Sequence, residues 1–254
     1  MAVFTVLALA LAGSLCAQEA SSLSPPPPPA TGAGQDIPAA QTDGNGLRLS
    51  FGASGTFASA FVWRGFLLGS DPAFQPSVWA KVGPLTITSW SNSHVRSASG
   101  VIYTEHDLII DYSREVRGVT LSVGWINYMF PRQASGRYSN EFYVAAAAGG
   151  YFAPKAQVYH DVNEGSGTYA TIGISHEYGL GSTKVSLTPG VSVGYNHHQW
   201  TERTGFSDIT TGLALVVPTP IPHCALQAFL NYSHGLDTAV FQRQVYGGVT
   251  LSVQ

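Results

Sequence analysis

The residues that could do chemistry are few, and their spacing mostly argues against it. Asn92-Ser93-His94 sets a nucleophile type beside a base type. Neighbours on a strand point to opposite faces, so this adjacency is not a catalytic dyad. His197-His198, with Glu202 nearby, could approach a transition metal from a loop. Two adjacent imidazoles nevertheless make a poor closed tetrahedral site. Of the two cysteines, Cys16 lies in an N-terminal apolar segment, so a processed chain keeps Cys224 alone. One thiol forms no intramolecular disulfide and no metal cluster. The expectation is a non-enzyme without cofactor or metal. A hydrolase would instead require a nucleophile and a base on one face within hydrogen-bond reach.

The elements that must position any site are strands. From Leu47 onward apolar and polar residues alternate with a period of two, the mark of a strand with one apolar face. Val119, Leu121, Val123 and Trp125 oppose Thr120, Ser122 and Gly124. Leu108, Ile110 and Tyr112 oppose Asp107 and Asp111, and Val249, Leu251 and Val253 oppose Thr250 and Ser252. The pattern predicts strands near 48–63, 76–82, 85–91, 103–114, 119–130, 141–152, 155–161, 168–177, 183–195, 208–217, 223–233 and 242–254. Connections alternate between long polar loops and short turns such as Gly83-Pro84. That asymmetry, with an even strand number, predicts an all-β, antiparallel up-and-down transmembrane β-barrel of about twelve strands. Aromatics near the strand ends, Trp63, Phe66, Trp125, Tyr128, Phe130, Tyr151, Phe152, Tyr195 and Trp200, are expected to form interfacial girdles. His106, His160 and His176 fall on outward positions near the same ends.

Composition agrees. The 254 residues are 44% hydrophobic but only 11% charged, against about 25% charged in a soluble globular chain. A soluble surface needs more charge to stay hydrated. The net charge of −3 arises from 12 basic and 15 acidic residues without a basic run, which leaves nucleic acid no electrostatic footprint. Val3 to Leu15 reads as the apolar core of a secretory signal, assigned to residues 1–17. Residues 18–46, with Pro25 to Pro29, read as a disordered periplasmic spacer that cannot build a core. The barrel is assigned to 47–254.

One segment is recognisable. Phe61-Val62-Trp63-Arg64-Gly65, then Asp71-Pro72-Ala73-Phe74-Gln75-Pro76, then Trp90-Ser91-Asn92 resembles the opening of the TorF-type porin family, in which an aromatic-x-x-Arg-Gly strand end leads through a Pro-Ala-x-Gln loop into a Trp-Ser hairpin. The family residues here are Trp63, Arg64, Gly65, Pro72, Ala73, Gln75 and Trp90. The resemblance implies a porin-type barrel in the bacterial outer membrane, in contact with outer-membrane lipid and with the outer-membrane assembly machinery. From the residues alone, Arg64 can anchor the first loop to a carboxylate or a lipid phosphate, and Gly65 permits close approach or a positive φ.

With the strand phases fixed, the candidate lumen-lining charges are Arg48, Lys81, Glu105, Asp107, Asp111, Lys155, Asp161, Glu177 and Lys184, four basic and five acidic. Near-balance fits either a weakly selective water path for small polar solutes or ions, or a lumen held shut by salt bridges. Glu105, Asp107 and Asp111 on one strand favour at most a modest cation preference. The expected function is a small-solute channel, with a closed structural or loop-binding barrel as the alternative and a hydrolase less favoured.

Overall fold

The computed structural model describes residues 49–96, 100–181 and 184–254. Arg48, the signal segment and the Pro-rich spacer lie outside them. The described residues form a closed antiparallel barrel of twelve strands: β1 (Leu49–Ala58), β4 (Ala73–Val82), β5 (Leu85–Arg96), β6 (Gly100–Val116), β7 (Val119–Met129), β8 (Tyr138–Ala148), β9 (Lys155–Asp161), β10 (Gly167–Ser175), β12 (Ser186–His197), β13 (Thr204–Pro218), β14 (Cys224–Gly235) and β15 (Gln244–Val253). Two short strands, β2 (Phe61–Trp63) and β3 (Phe66–Gly69), pair as a separate hairpin in the first connection. A two-residue strand, β11 (Tyr178–Gly179), borders the turn into β12. Each barrel strand pairs with its neighbour in sequence, and β1 closes on β15 from Ala53 opposite Val253 to Ala58 opposite Gly248. Closure leaves no unpaired sheet edge, as a barrel in lipid requires.

The alternation read from the sequence sets which face is which. Phe51, Phe57, Leu121, Val123, Phe142, Val144, Val249, Leu251 and Val253 stand on the outside and are exposed. Inward positions carry Thr86, Asn92, Glu105, Asp107, Glu141, Asn231, Ser233 and Thr250, all buried. Burial here is inverted from a soluble protein, with polar groups inside and apolar groups outside. An apolar outer band of this kind suits hydrocarbon, while most of the inner wall is satisfied by hydrogen bonds among its own side chains.

Two departures from the expected boundaries have local causes. Alternation fails at Phe61-Val62-Trp63, where three successive residues are buried. A strand buried on both faces cannot stay in a wall with lipid on one side, so β1 ends at Ala58 and the next residues fold into the barrel. The connection between β5 and β6 is shorter than expected, because the ladder runs up to Arg96 opposite Gly100. A bulge between Asn92 and Ser93 shifts its register on the way. On the opposite rim Arg117 and Gly118, with φ of 53° and 80°, supply the two left-handed residues of a tight hairpin between β6 and β7.

The lipid-facing phase predicts the result of a charge scan. Val123→Arg, near the middle of β7, should destabilise the barrel by about 2–4 kcal/mol, measured by reversible denaturant titration of folding into phospholipid vesicles.

Candidate functional site

The β2–β3 hairpin crosses the barrel mouth inside the wall, and its turn residue Arg64 makes the central contact. Arg64 has φ of 46° and Gly65 has φ of 83°, so the turn needs two left-handed residues. A side chain at Gly65 would meet Asp208 Cβ at 3.0 Å and Phe241 Cδ1 at 3.1 Å, which leaves glycine as the residue that fits. The Gly65 carbonyl accepts a hydrogen bond from the Gln242 amide.

Arg64 Nη1 and Nη2 donate to Glu141 Oε2 and Oε1, both at 2.8 Å, in the bidentate geometry that a planar guanidinium offers a carboxylate. Glu141 also accepts from Tyr128 Oη at 2.8 Å and from Gln199 Nε2. Four donors thus occupy its acceptor positions, two on each oxygen. Gln199 Oε1 in turn accepts from Arg64 Nη1 at 2.7 Å. The guanidinium carbon lies 4.2 Å from the Trp63 ring centroid, 3.9 Å from that of Tyr159 and 4.8 Å from that of Tyr169. These faces attract the cation in a site from which water is excluded. Burial by itself would push the Arg64 pKa down, but the facing Glu141 carboxylate outweighs it and raises it, so the arginine is charged.

Each partner is placed by the ladder. Glu141 is inward on β8, opposite Ile126, and Tyr128 is inward on β7 two residues further along, opposite Ser139. Tyr159 on β9 stands opposite Tyr169 on β10. Gln199 belongs to a tight turn after β12, where Asn196 Oδ1 accepts from the Gln199 amide at 2.9 Å and Asn196 Nδ2 donates to the Gln199 carbonyl at 3.0 Å. The hairpin's Phe61, Trp63 and Phe66 pack with Ala73, Trp90 and Trp200, and a second cluster holds Ile126, Tyr128, Phe130, Tyr159 and Tyr169, with Trp200 touching both.

No protein-family model matches the sequence, and no curated protein matches it. Among solved structures the chain is similar to the NanC porin, at 9% identity and a TM-score of 0.50, covering 81% of this chain and 100% of that one. It is also similar to the outer membrane phospholipase A of Escherichia coli, at 16% identity and a TM-score of 0.45, covering 80% and 92%. At these identities the likeness to the NanC porin is one of fold.

The segment singled out in the sequence is the hairpin and its seat. Trp63 and Arg64 are buried, and Ala73, the first residue of β4, is wholly enclosed beside Phe61 and Trp63. Gln75 Nε2 donates to Asn92 Oδ1 at 3.1 Å, Trp90 tilts against Phe61 with centroids 5.8 Å apart, and the Pro72 carbonyl accepts from the Val95 amide.

The lumen candidates scatter more widely. Glu105, Asp107 and Lys81 are buried on inward positions of β6 and β4. Asp111, further along β6, accepts from Tyr143 Oη at 2.6 Å and from Ser113. Asp161, at the end of β9, binds Ser139 Oγ and the amides of Asn163, Gly165 and Ser166, and so shapes the next loop. Lys155 opens β9 and is exposed. Glu177 and Lys184 fall outside the barrel strands, in the exposed connection between β10 and β12. The aromatic girdle requires correction. Trp63, Tyr128 and Phe130 are buried inside, Phe66 belongs to the inward hairpin and Trp200 packs on it, because their strand phase or turn points inward. Tyr151, Phe152 and Tyr195 are exposed, and Trp125 is half-buried with its indole donating to Asn140 Oδ1 at 3.2 Å.

Two arrangements bear on catalysis. Gly190-Val191-Ser192-Val193-Gly194 has the spacing of a nucleophile elbow, but it runs straight along β12 in register with β10 and β13 up to a bulge at its end. No strained strand-to-helix turn presents its serine. On the outer face Ser91 Oγ and His106 Nδ1, opposite each other on β5 and β6, are 2.9 Å apart. Among the described residues no carboxylate or amide is hydrogen-bonded to His106 to orient it.

Sequence reasoning missed Glu141, Tyr128, Tyr159, Tyr169, Gln199 and Asp208 as partners of the hairpin. For the strand residues the signal was phase: Glu141 alternates with exposed Phe142 and Val144, and Tyr159 with Val158 and His160, so each points inward.

Removing one partner of the latch should cost more than removing both. Glu141→Leu, which strands the buried guanidinium, should destabilise by about 3–5 kcal/mol. The double variant Arg64→Met/Glu141→Leu should recover much of that loss, as read by equilibrium unfolding in detergent or vesicles.

Proposed function

We propose that this chain is an outer-membrane porin of the TorF type, a small-solute channel whose narrow, mixed-charge lumen is held shut at rest by the β2–β3 hairpin. The observation that carries this reading is the direction of the first loop. The segment that resembles the family folds into the lumen and is fastened there by one charged latch, instead of projecting outward as a binding surface. The fold shared with the NanC porin supports it, as does an inner wall of Thr, Ser, Asn and Lys, suited to water. Export through the N-terminal signal, insertion by the outer-membrane assembly machinery and contact with outer-membrane lipid belong to the same proposal. Small polar solutes or ions are the cargo, and no nucleic acid is involved.

A closed structural barrel is the second reading, favoured by the fully occupied acceptors of Glu141. The two differ in whether the latch opens. The protein works without a catalytic step of its own; the Ser91–His106 pair holds neighbouring strands together at the outer face, where a polar side chain next to hydrocarbon needs a partner.

In planar bilayers the native protein should give small, infrequent conductance steps. Arg64→Ala/Glu141→Ala, which leaves no unpaired charge behind, should raise open probability several-fold. Absence of conductance in both proteins would replace the channel with the closed barrel. A lipid ester hydrolysis rate that falls in Ser91→Ala would overturn the non-enzymatic reading.

A further inference from the structure

Beside the latch the lumen carries acidic groups that no hydrogen bond among the described residues satisfies. Glu105 and Asp107 are successive inward residues of β6, 2% and 0% exposed. Both oxygens of Asp107 and Oε1 of Glu105 are enclosed without a hydrogen-bond partner. Glu105 lies within electrostatic reach of Asp107, and Asp107 within reach of Glu141. Three carboxylates therefore share one region with the Arg64 guanidinium, which is committed to Glu141 and Gln199.

Most neighbouring polar groups are engaged elsewhere, although Arg64 Nε, Trp63 Nε1 and His94 Nδ1 are also enclosed without a partner. Asn92, opposite Glu105 in the ladder, gives its amide to Thr104 Oγ1 and accepts from Gln75. His94, two residues further along β5, leans on the Asn92 amide. Lys81 stands opposite Thr86, at the level of Asp111, which is four residues and so about 13 Å along β6 from Asp107. Asp111 itself is held by Tyr143 and Ser113. An isolated carboxylate removed from water costs several kcal/mol unless a counter-charge or proton accompanies it. Two of them side by side add mutual repulsion.

We infer that Glu105 and Asp107 form a binding site for a compact cation, a metal ion or a primary ammonium group, within the barrel beside the β2–β3 hairpin. Among the described residues no group of three or more histidine, cysteine or carboxylate ligands assembles. The site is therefore a two-carboxylate seat for an exchangeable cation, not a chelating metal centre. This inference rests on the channel reading for its purpose, since it names the class of solute the lumen accepts. Its binding does not require conductance.

The experiment is a thermal unfolding series on the full-length protein in detergent, in cation-depleted buffer and with added K+, Ca2+ or methylammonium. It compares the native protein with Glu105→Gln, Asp107→Asn and the double variant, whose amides keep the shape of the side chains. The native protein should be stabilised saturably by at least one of the three cations, which also distinguishes metal from ammonium. The cation concentration at half-effect should rise at least about tenfold in either single variant, and the response should vanish in the double variant. In cation-depleted buffer the double variant should unfold at a higher temperature than the native protein, because the repulsion is gone. A response equal in all four proteins, or absent from the native protein, overturns the inference. Infrared carbonyl bands of protonated carboxyls, present in the native protein and lost in the double variant at neutral pH, would assign the counter-charge to protons and overturn it too. Because these readouts are equilibrium measurements on the purified chain, their failure is distinct from a failure to conduct.

Discussion

The ion pair between Arg64 and Glu141 is the contact on which the interior depends. It joins a hairpin that pairs with no wall strand to the inward face of β8, across 77 positions of sequence. Without it the hairpin would rest in the lumen on aromatic contacts such as Phe61 on Trp90 and on the Gln242–Gly65 backbone hydrogen bond, with no charged contact to fix its tip. Its strength comes from completeness. The carboxylate's acceptors are filled, the guanidinium's flat faces are covered by aromatic rings, and the polar atom of the pair left over is Arg64 Nε. Buried ion pairs often add little over an apolar replacement. What this one adds is address, because the cation on the hairpin tip meets a carboxylate that Tyr128 and Gln199 also bond.

The wall and the plug obey different rules. Wall residues alternate except where a bulge shifts the register, as at Asn92–Ser93, since an apolar outside and a polar inside fix the phase. The plug, apart from its arginine, is apolar on all sides and is closed by aromatic contacts such as Phe66 on Phe241, 4.8 Å between centroids. The barrel thus contains a small conventional hydrophobic core inside a structure whose other inward surface is polar.

The strand pattern could be read almost to the residue from Val119 to Met129 and from Cys224 to Val253, because alternation over ten residues is a long-range signal carried locally. The count of twelve strands and their closure into an antiparallel barrel were likewise within reach. The partners of Arg64 were not. Tyr128, Phe130 and Trp200 have the composition of a membrane girdle, and only their phase, or for Trp200 the turn after β12, turns them inward. Gln199 lies in a turn that no periodicity describes. Glu105 and Asp107 were legible as inward acids, whereas their want of hydrogen-bond partners is a property of the assembled wall, where Tyr143 and Ser113 reach Asp111 instead.

The seam between β1 and β15 joins the two ends of the barrel, with Ala53 opposite Val253, so the ring cannot close before the last strand is made. The hairpin that follows β1 is synthesised early, yet Glu141, Gln199, Asp208 and Phe241 arrive over the remaining length. Such distant pairings are slow to form. Until that seam forms the sheet is an open trough, and the order in which these contacts form decides whether the stopper is swallowed or left outside when the seam zips shut.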